Sequence, residues 1–478
     1  MLFNSVQFIF AFLPIVLIGF FFLGLLGLRQ AAIGWAFLAS LVFYGWDNPW
    51  RLVPLVLASA TFNFFVGREL ARFNSRRLLF IGVTGNLLLL GVFKYTSFLL
   101  GSFGWLTGLS VPHVDIPLPI GISFYTFTQI AFLVDAYRKV AREYEPLKYG
   151  LFVTYFPHLI AGPILHHKEM MPQFNNPEVF QPRLTSLLHG LAWLSAGLFK
   201  KVMLADSIAT YVEAPFRMAT AGSPVTFGDA WTGVISYALQ IYFDFSAYSD
   251  MAIGLALMMG ITFPINFNSP YKADSLIEFW RRWHMTLSRF LRDYLYISLG
   301  GNRKGPLRRH VNLMITMVLG GLWHGASWNF AIWGAIHGVG LLLNHLWREL
   351  PERLRSTLPR PLSWALTLLL VAVAWVPFRA ETFDSALLLW RSMLGLHGFA
   401  GPTIASLHTM MGWIVALSSI ALFAPNSQEI FSLDWRNGSA TWLRWRPSGP
   451  WAIAVGCLFG VAIAGMLTKP TVFLYFRF

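Results

Sequence analysis

Apolar runs long enough to cross a bilayer recur from one end of this 478-residue chain to the other, with short clusters of Lys and Arg between them. The hydrocarbon core takes about 20 apolar helical residues per crossing, and backbone N–H and C=O groups inside it must be satisfied internally. Those two demands point to a bundle of helices. Composition agrees. Hydrophobic residues are 56% and charged residues 12% of the chain, about half the charge of an ordinary soluble domain. The chain therefore reads as all-α: a polytopic transmembrane bundle of about eleven spans with amphipathic interfacial helices. It forms a single membrane domain over residues 1–478.

The charge pattern orients the spans. Net charge is +14, but the cations sit between apolar runs rather than on one soluble basic face, which argues against a nucleic-acid binder. The run 5–28 has no Lys or Arg before it and no small-residue cleavage site, so it reads as an uncleaved span with its N-terminus outside. Arg68, Arg72, Arg76 and Arg77, and then Arg138, Lys139, Arg142 and Lys148, mark cytoplasmic loops. The 101–117 loop, with only Asp115, falls outside. Residues 149–164 contain Pro157, His158 and Pro163, which predicts a short or re-entrant helix. The stretches 229–262 and 311–346 exceed one crossing, so each holds a bent helix or a span plus an interfacial piece. The polar stretch 425–449 reads as an ordered loop. Cys457, the sole cysteine, excludes a disulfide and reads as a buried bystander in its apolar run.

Several stretches carry chemistry. In residues 275–302 a helical wheel puts Trp280, Trp283, Leu287, Phe290, Leu291 and Tyr294 on one face, and Arg281, Arg282, Arg289, Arg292 and Asp293 on the other. This predicts an amphipathic helix at the membrane surface. His284 falls at the border, either as a snorkelling interfacial residue or as a functional one. From Lys272 to Arg309 nine basic residues face three acidic ones. Positive-inside topology explains part of that excess. A mouth attracting a phosphate-bearing donor, such as a coenzyme A thioester, is the functional reading, with Arg303, Lys304, Arg308 and Arg309 as candidate contacts. The turn Gly300-Gly301-Asn302 offers backbone N–H groups to a phosphate.

His324 lies in GGLWHGASWNFAIWG, residues 320–334, beside Gly320, Gly321 and Gly325. An ionisable group within a span usually faces a cavity or a partner, and the glycines permit close backbone approach. Asn329 in the same stretch is a supporting polar residue. Asp244 and Asp250, in YFDFSAYSDMAIG, need a cation or hydrogen-bond donors at that depth, either to orient a histidine or to clamp helices. Ser123, Tyr125, Thr126, Thr128 and Gln129 line a polar path or bridge helices. His166 and His167 near Glu169 lack metal-site spacing, so no metal is expected. There is no G-x-S-x-G elbow and no Walker A loop.

The stretches LPIGISFYTF, FPHLIAGPI, YFDFSAYSDMAIG, NFNSPY, EFWRRWHMTLSRFLRDYLYISLGGN and GGLWHGASWNFAIWG resemble the membrane-bound O-acyltransferase family, in particular its bacterial branch typified by the alginate O-acetyltransferase membrane subunit. The resemblance covers about residues 1–380, and the spans in 381–478 are less diagnostic. It implies a helical bundle around a membrane-crossing tunnel in the bacterial inner membrane. His324 matches the family's near-invariant histidine, and His284 matches its second position. It further implies acetyl transfer from a cytoplasmic thioester, acetyl-coenzyme A, toward hydroxyls of an exported polysaccharide such as alginate or cellulose. A periplasmic acetyltransferase partner and the exopolysaccharide machinery would complete the transfer. No cofactor is expected to stay bound. Removing a hydroxyl proton near pH 7 suits a neutral imidazole, here His324, with His284 orienting the donor or donating to the oxyanion. Other readings are transfer to lipid, peptidoglycan, teichoic acid or a secreted protein, or a transporter without chemistry.

Overall fold

The computed structural model describes the chain except residues 48, 113, 115, 143, 144, 304, 352–357, 403–406, 433–442, 469–472 and 475–478; the side chains of 47 and 407 are also outside the described part. Among the described residues there are helices and connections but no strand. Seven helices among the described residues are long and apolar enough to cross a membrane: Phe8–Leu25, Trp50–Phe73, Arg76–Thr107, Leu184–Ala209, Trp328–Glu349, Arg360–Arg379 and Gly449–Thr468. Their outward faces carry large apolar side chains such as Phe80, Leu88, Leu366 and Ile453. Such faces are normal only where lipid replaces water. The chain is an all-α polytopic membrane protein.

The two overlong apolar stretches resolve differently. Phe227–Met258 is one helix of 32 residues. The 311–346 stretch falls within two helices, Gly305–His324 and Trp328–Glu349. Residues 149–164 form two short helices, Pro146–Thr154 and Phe156–Leu159, as the prolines imply. Cys457 departs from expectation: it is exposed on its apolar helix. The helix turns a thin apolar stripe inward (Val455 and Ala462 are buried), and position 457 lies off that stripe.

By packing, the chain divides into two compact units. One comprises Met1–Leu198, Tyr248–Pro264 and Pro447–Pro470. Here Gln129 donates to Ser59 Oγ (3.0 Å) and accepts from Asn63 Nδ2 (3.0 Å), and Asn86 donates to Asn63 Oδ1 (2.6 Å). These amides bridge the helices Val53–Phe73, Arg76–Leu90 and Ile122–Tyr137. His166 caps the helix His167–Asn175 with Glu169 in a reciprocal pair of bonds. No cluster of three metal-ligating side chains occurs among the described residues. Asp250 is buried in this unit.

The other unit comprises Phe199–Ala247, Ile265–Arg446 and Thr471–Phe478. Its core holds Trp280, Trp283, Trp333, Trp375 and Phe378. Two of its helices, Gly305–His324 and Trp328–Glu349, touch backbone to backbone. A Cβ at Gly321 would collide with the Phe330 carbonyl, and one at Gly334 would collide with that of Met317. Glycine is required at both positions for this approach.

Candidate active site

The site is built where the chain breaks its own helix. The single amphipathic helix expected over 275–302 is instead Leu276–Arg282, Met285–Phe290 and a π-helical turn, Leu291–Tyr296. Trp283 is extended, and His284 is left-handed with φ +41°. The wheel cannot be carried across that break. His284 is consequently not an interfacial residue at the border of two faces; it is 0% exposed.

Asn266 makes the break possible. A non-glycine residue in the left-handed region is uncommon and needs support from its surroundings. The Asn266 carbonyl accepts from Met285 N at 2.9 Å. Its side-chain Oδ1 accepts from Thr286 N (3.3 Å) and Thr286 Oγ1 (2.9 Å), and lies 3.0 Å from His284 Nδ1. One residue thus caps the helix that follows and holds the imidazole. It also fixes the tautomer. The atom that accepts a backbone N–H must be oxygen, so Nδ1 of His284 carries the proton and Nε2 keeps a lone pair. Nε2 is buried with no hydrogen-bond partner among the described residues. Burial pushes the ring down to about 3, so it is neutral at ordinary pH.

His324 is the last residue of Gly305–His324 and is 5% exposed. The carbonyl end of a helix favours the positive charge that forms when imidazole accepts a proton. Its ring packs between Trp323 (4.9 Å between centroids), Trp333 (5.1 Å) and Phe378 (5.1 Å). Trp323 in turn lies 6.3 Å from His284. Two histidines 40 positions apart in sequence therefore enter one aromatic cluster, with a single indole touching both.

The cluster contains a third histidine that the sequence reading did not single out. His337 is 0% exposed and sits 4.8 Å from the Trp333 ring. Its signal was present: an ionisable residue in an apolar run, one turn after Gly334 and next to Gly338.

Two of the supporting residues, Asn329 and Asp244, make contacts that tie segments together. Asn329 donates through Nδ2 to the Ala380 carbonyl at 2.8 Å, tying the start of one helix to the end of another. Asp244 accepts from the buried Lys201 ammonium at 2.6 Å, and Asp206 accepts from the same group at 2.6 Å. Leu474 N donates to Asp244 Oδ2 at 3.2 Å. Of the four candidate phosphate contacts, Lys304 lies outside the described residues. Arg303 and Arg308 are exposed, and Arg309 is paired with Glu349. The glycine turn does not present free N–H groups as expected. Gly300 N donates to Ile297 O and Gly301 N to Tyr296 O, because the turn closes the preceding helical segment.

The model of the membrane-bound O-acyltransferase family matches residues 120–375, more than half of the chain and all three histidines. The chain belongs to this family. A peptidoglycan O-acetyltransferase of Helicobacter pylori is 37% identical over 100% of this chain and 98% of its own length. A probable alginate O-acetylase AlgI of Azotobacter vinelandii is 42% identical over 85% of this chain and 80% of its own. A teichoic acid D-alanyltransferase of Streptococcus thermophilus is 29% identical over 48% of this chain and 57% of its own. The family match and these relatives make the protein an O-acyltransferase.

Asn266 gives a pH test of the tautomer lock. In Asn266→Asp a carboxylate faces Nδ1 and raises the imidazole pKa from about 3 toward neutrality. Below the raised value His284 is protonated and loses its lone pair. Acyl transfer by Asn266→Asp should therefore fall as pH drops from about 8 to 6, while the parent stays flat across that range in the His284-dependent limb. Parallel profiles for the two proteins would remove Asn266 from this role.

Proposed function

We propose that this O-acyltransferase moves an acetyl group from a cytoplasmic thioester, acetyl-coenzyme A, toward hydroxyls of an exported polysaccharide, with a periplasmic partner completing delivery. The observation that carries the reading is the joining of His284 and His324 through Trp323 in a buried aromatic cluster. A dry site strengthens each polar interaction made in it and keeps water from the thioester. His324 takes the proton of the attacking hydroxyl and returns it to the departing thiolate. His284, with its bare Nε2, accepts from an N–H of the donor and orients it. Donation to the oxyanion does not suit His284 while Nδ1–H is bound to Asn266. The alginate-type relatives support a polysaccharide acceptor. The peptidoglycan enzyme aligned over the whole chain favours a second reading, in which the glycan is the cell wall itself.

The reading also assigns sides. The protein sits in the bacterial inner membrane with its N-terminus outside, among lipids, and with the basic loop at Arg303 and Arg308 facing the cytoplasm. Acetyl-labelled coenzyme A supplied to membrane vesicles tests donor and orientation together. Inverted vesicles should pass label to glycan, and sealed right-side-out vesicles should not. Label transfer from the outside only would reverse the orientation. Polymer movement without label transfer would make the protein a transporter.

A further inference from the structure

A developing oxyanion needs an N–H or O–H donor, and His284 holds the wrong polarity for that task. His337 holds the right one. Trp280 Nε1 lies 3.3 Å from His337 Nδ1. An indole N–H can only donate, so Nδ1 is the lone pair and the neutral ring carries its proton on Nε2. That Nε2–H is buried with no hydrogen-bond partner among the described residues. A buried donor left unpaired in a native fold calls for an explanation, such as a ligand. Trp333 touches both His337 (4.8 Å) and His324 (5.1 Å), as Trp323 touches both His324 and His284. Along this series of ring contacts His284 and His337 stand to either side of His324, each one tryptophan away, with opposite character: one bare nitrogen and one N–H.

We propose that His337 is a third catalytic residue, donating its Nε2–H to the carbonyl oxygen of the acyl group in transit. The proposal rests on the acyl-transfer reading above. The acceptor's hydroxyl oxygen bonds to the carbonyl carbon as its proton passes to His324. The C=O π pair moves onto oxygen, where the His337 N–H holds it. The pair then returns, the C–S bond breaks, and the thiolate leaves with the proton from His324. No proton leaves His337, so its contribution requires no titration. Trp280 acts as its positioning residue, setting the tautomer.

Binding of two inert donor mimics to the detergent-purified protein tests this without turnover. Acetyl-dethia-coenzyme A, with CH₂ replacing sulfur, keeps the carbonyl oxygen, whereas ethyl-coenzyme A lacks it. The parent protein should prefer the carbonyl mimic by about tenfold or more. His337→Phe should erase that preference while leaving ethyl-coenzyme A binding within about twofold. His337→Gln, which restores an N–H donor, should recover part of the preference. If His337→Phe does not fold, His337→Gln and Trp280→Phe carry the test, with Trp280→Phe losing part of the preference. Preference for the carbonyl mimic unchanged in folded His337 variants would overturn the proposal. Equal weakening of both mimics would also overturn it, since that is the signature of a ring that only packs. A parent protein that binds neither mimic would instead refute the coenzyme A reading itself.

Discussion

His324→Ala is expected to lose nearly all acetyl transfer while the protein still inserts and elutes as the parent does. Loss of general-base help costs about 10²–10⁴-fold in rate. The ring packs among Trp323, Trp333 and Phe378 at the end of its helix, and alanine continues a helix without strain. The expected loss is therefore chemical rather than structural. Residues acting at one step are not additive, so His284→Ala added to His324→Ala should lower the residual rate little further. Glycan acetylation near the parent level in well-expressed His324→Ala would sink the assignment. A fully active His284→Ala would reduce His284 to a packing residue.

The largest stability effect is expected at Lys201. Its ammonium is 1% exposed and lies 2.6 Å from both Asp206 and Asp244, with the Phe473 ring 4.8 Å away. Removing the cation strands two carboxylates in the core. Breaking a buried pair in this way costs about 3–5 kcal/mol, more than the intact pair adds over an apolar replacement. Lys201→Met should unfold at markedly lower temperature in detergent. Neutralising the acids as well, with Asp206→Asn and Asp244→Asn, should recover much of the loss. A Lys201→Met protein as stable as the parent would mean that water reaches the cluster. So would a triple variant less stable than the single one.

The bundle was legible because bilayer physics is blunt: runs of apolar residues separated by cations leave few alternatives. His324 was legible for the same reason, as an imidazole where ionisable groups are costly. The break at His284 was not. Neither glycine nor proline marks it, and periodicity continues smoothly through Trp283 and His284. What holds the left-handed turn is Asn266, 18 positions upstream, and no local pattern reports a contact at that range. The partner of Asp244 escaped for a similar reason, since Lys201 lies 43 positions away. His337 was within reach of the argument used for His324. It became conspicuous only once Trp280 was seen to dictate which nitrogen holds its proton.

The helix Gly305–His324 has an implication for the kind of molecule that can react here. Its 20 residues extend about 30 Å at 1.5 Å per residue. Arg303 stands just before its first residue, and His324 is its last. From Arg308 to His324 the rise alone is about 24 Å. On the proposed reading, in which these basic residues hold the donor's phosphates and His324 meets its acyl group, the helix works as a ruler. A small activated acetate such as acetyl phosphate can reach one mark but never both. Only a donor that carries its anionic handle and its acyl group on opposite ends of a long arm spans the scale. Selection by length, on that reading, would leave the cargo free to differ while the handle stays the same.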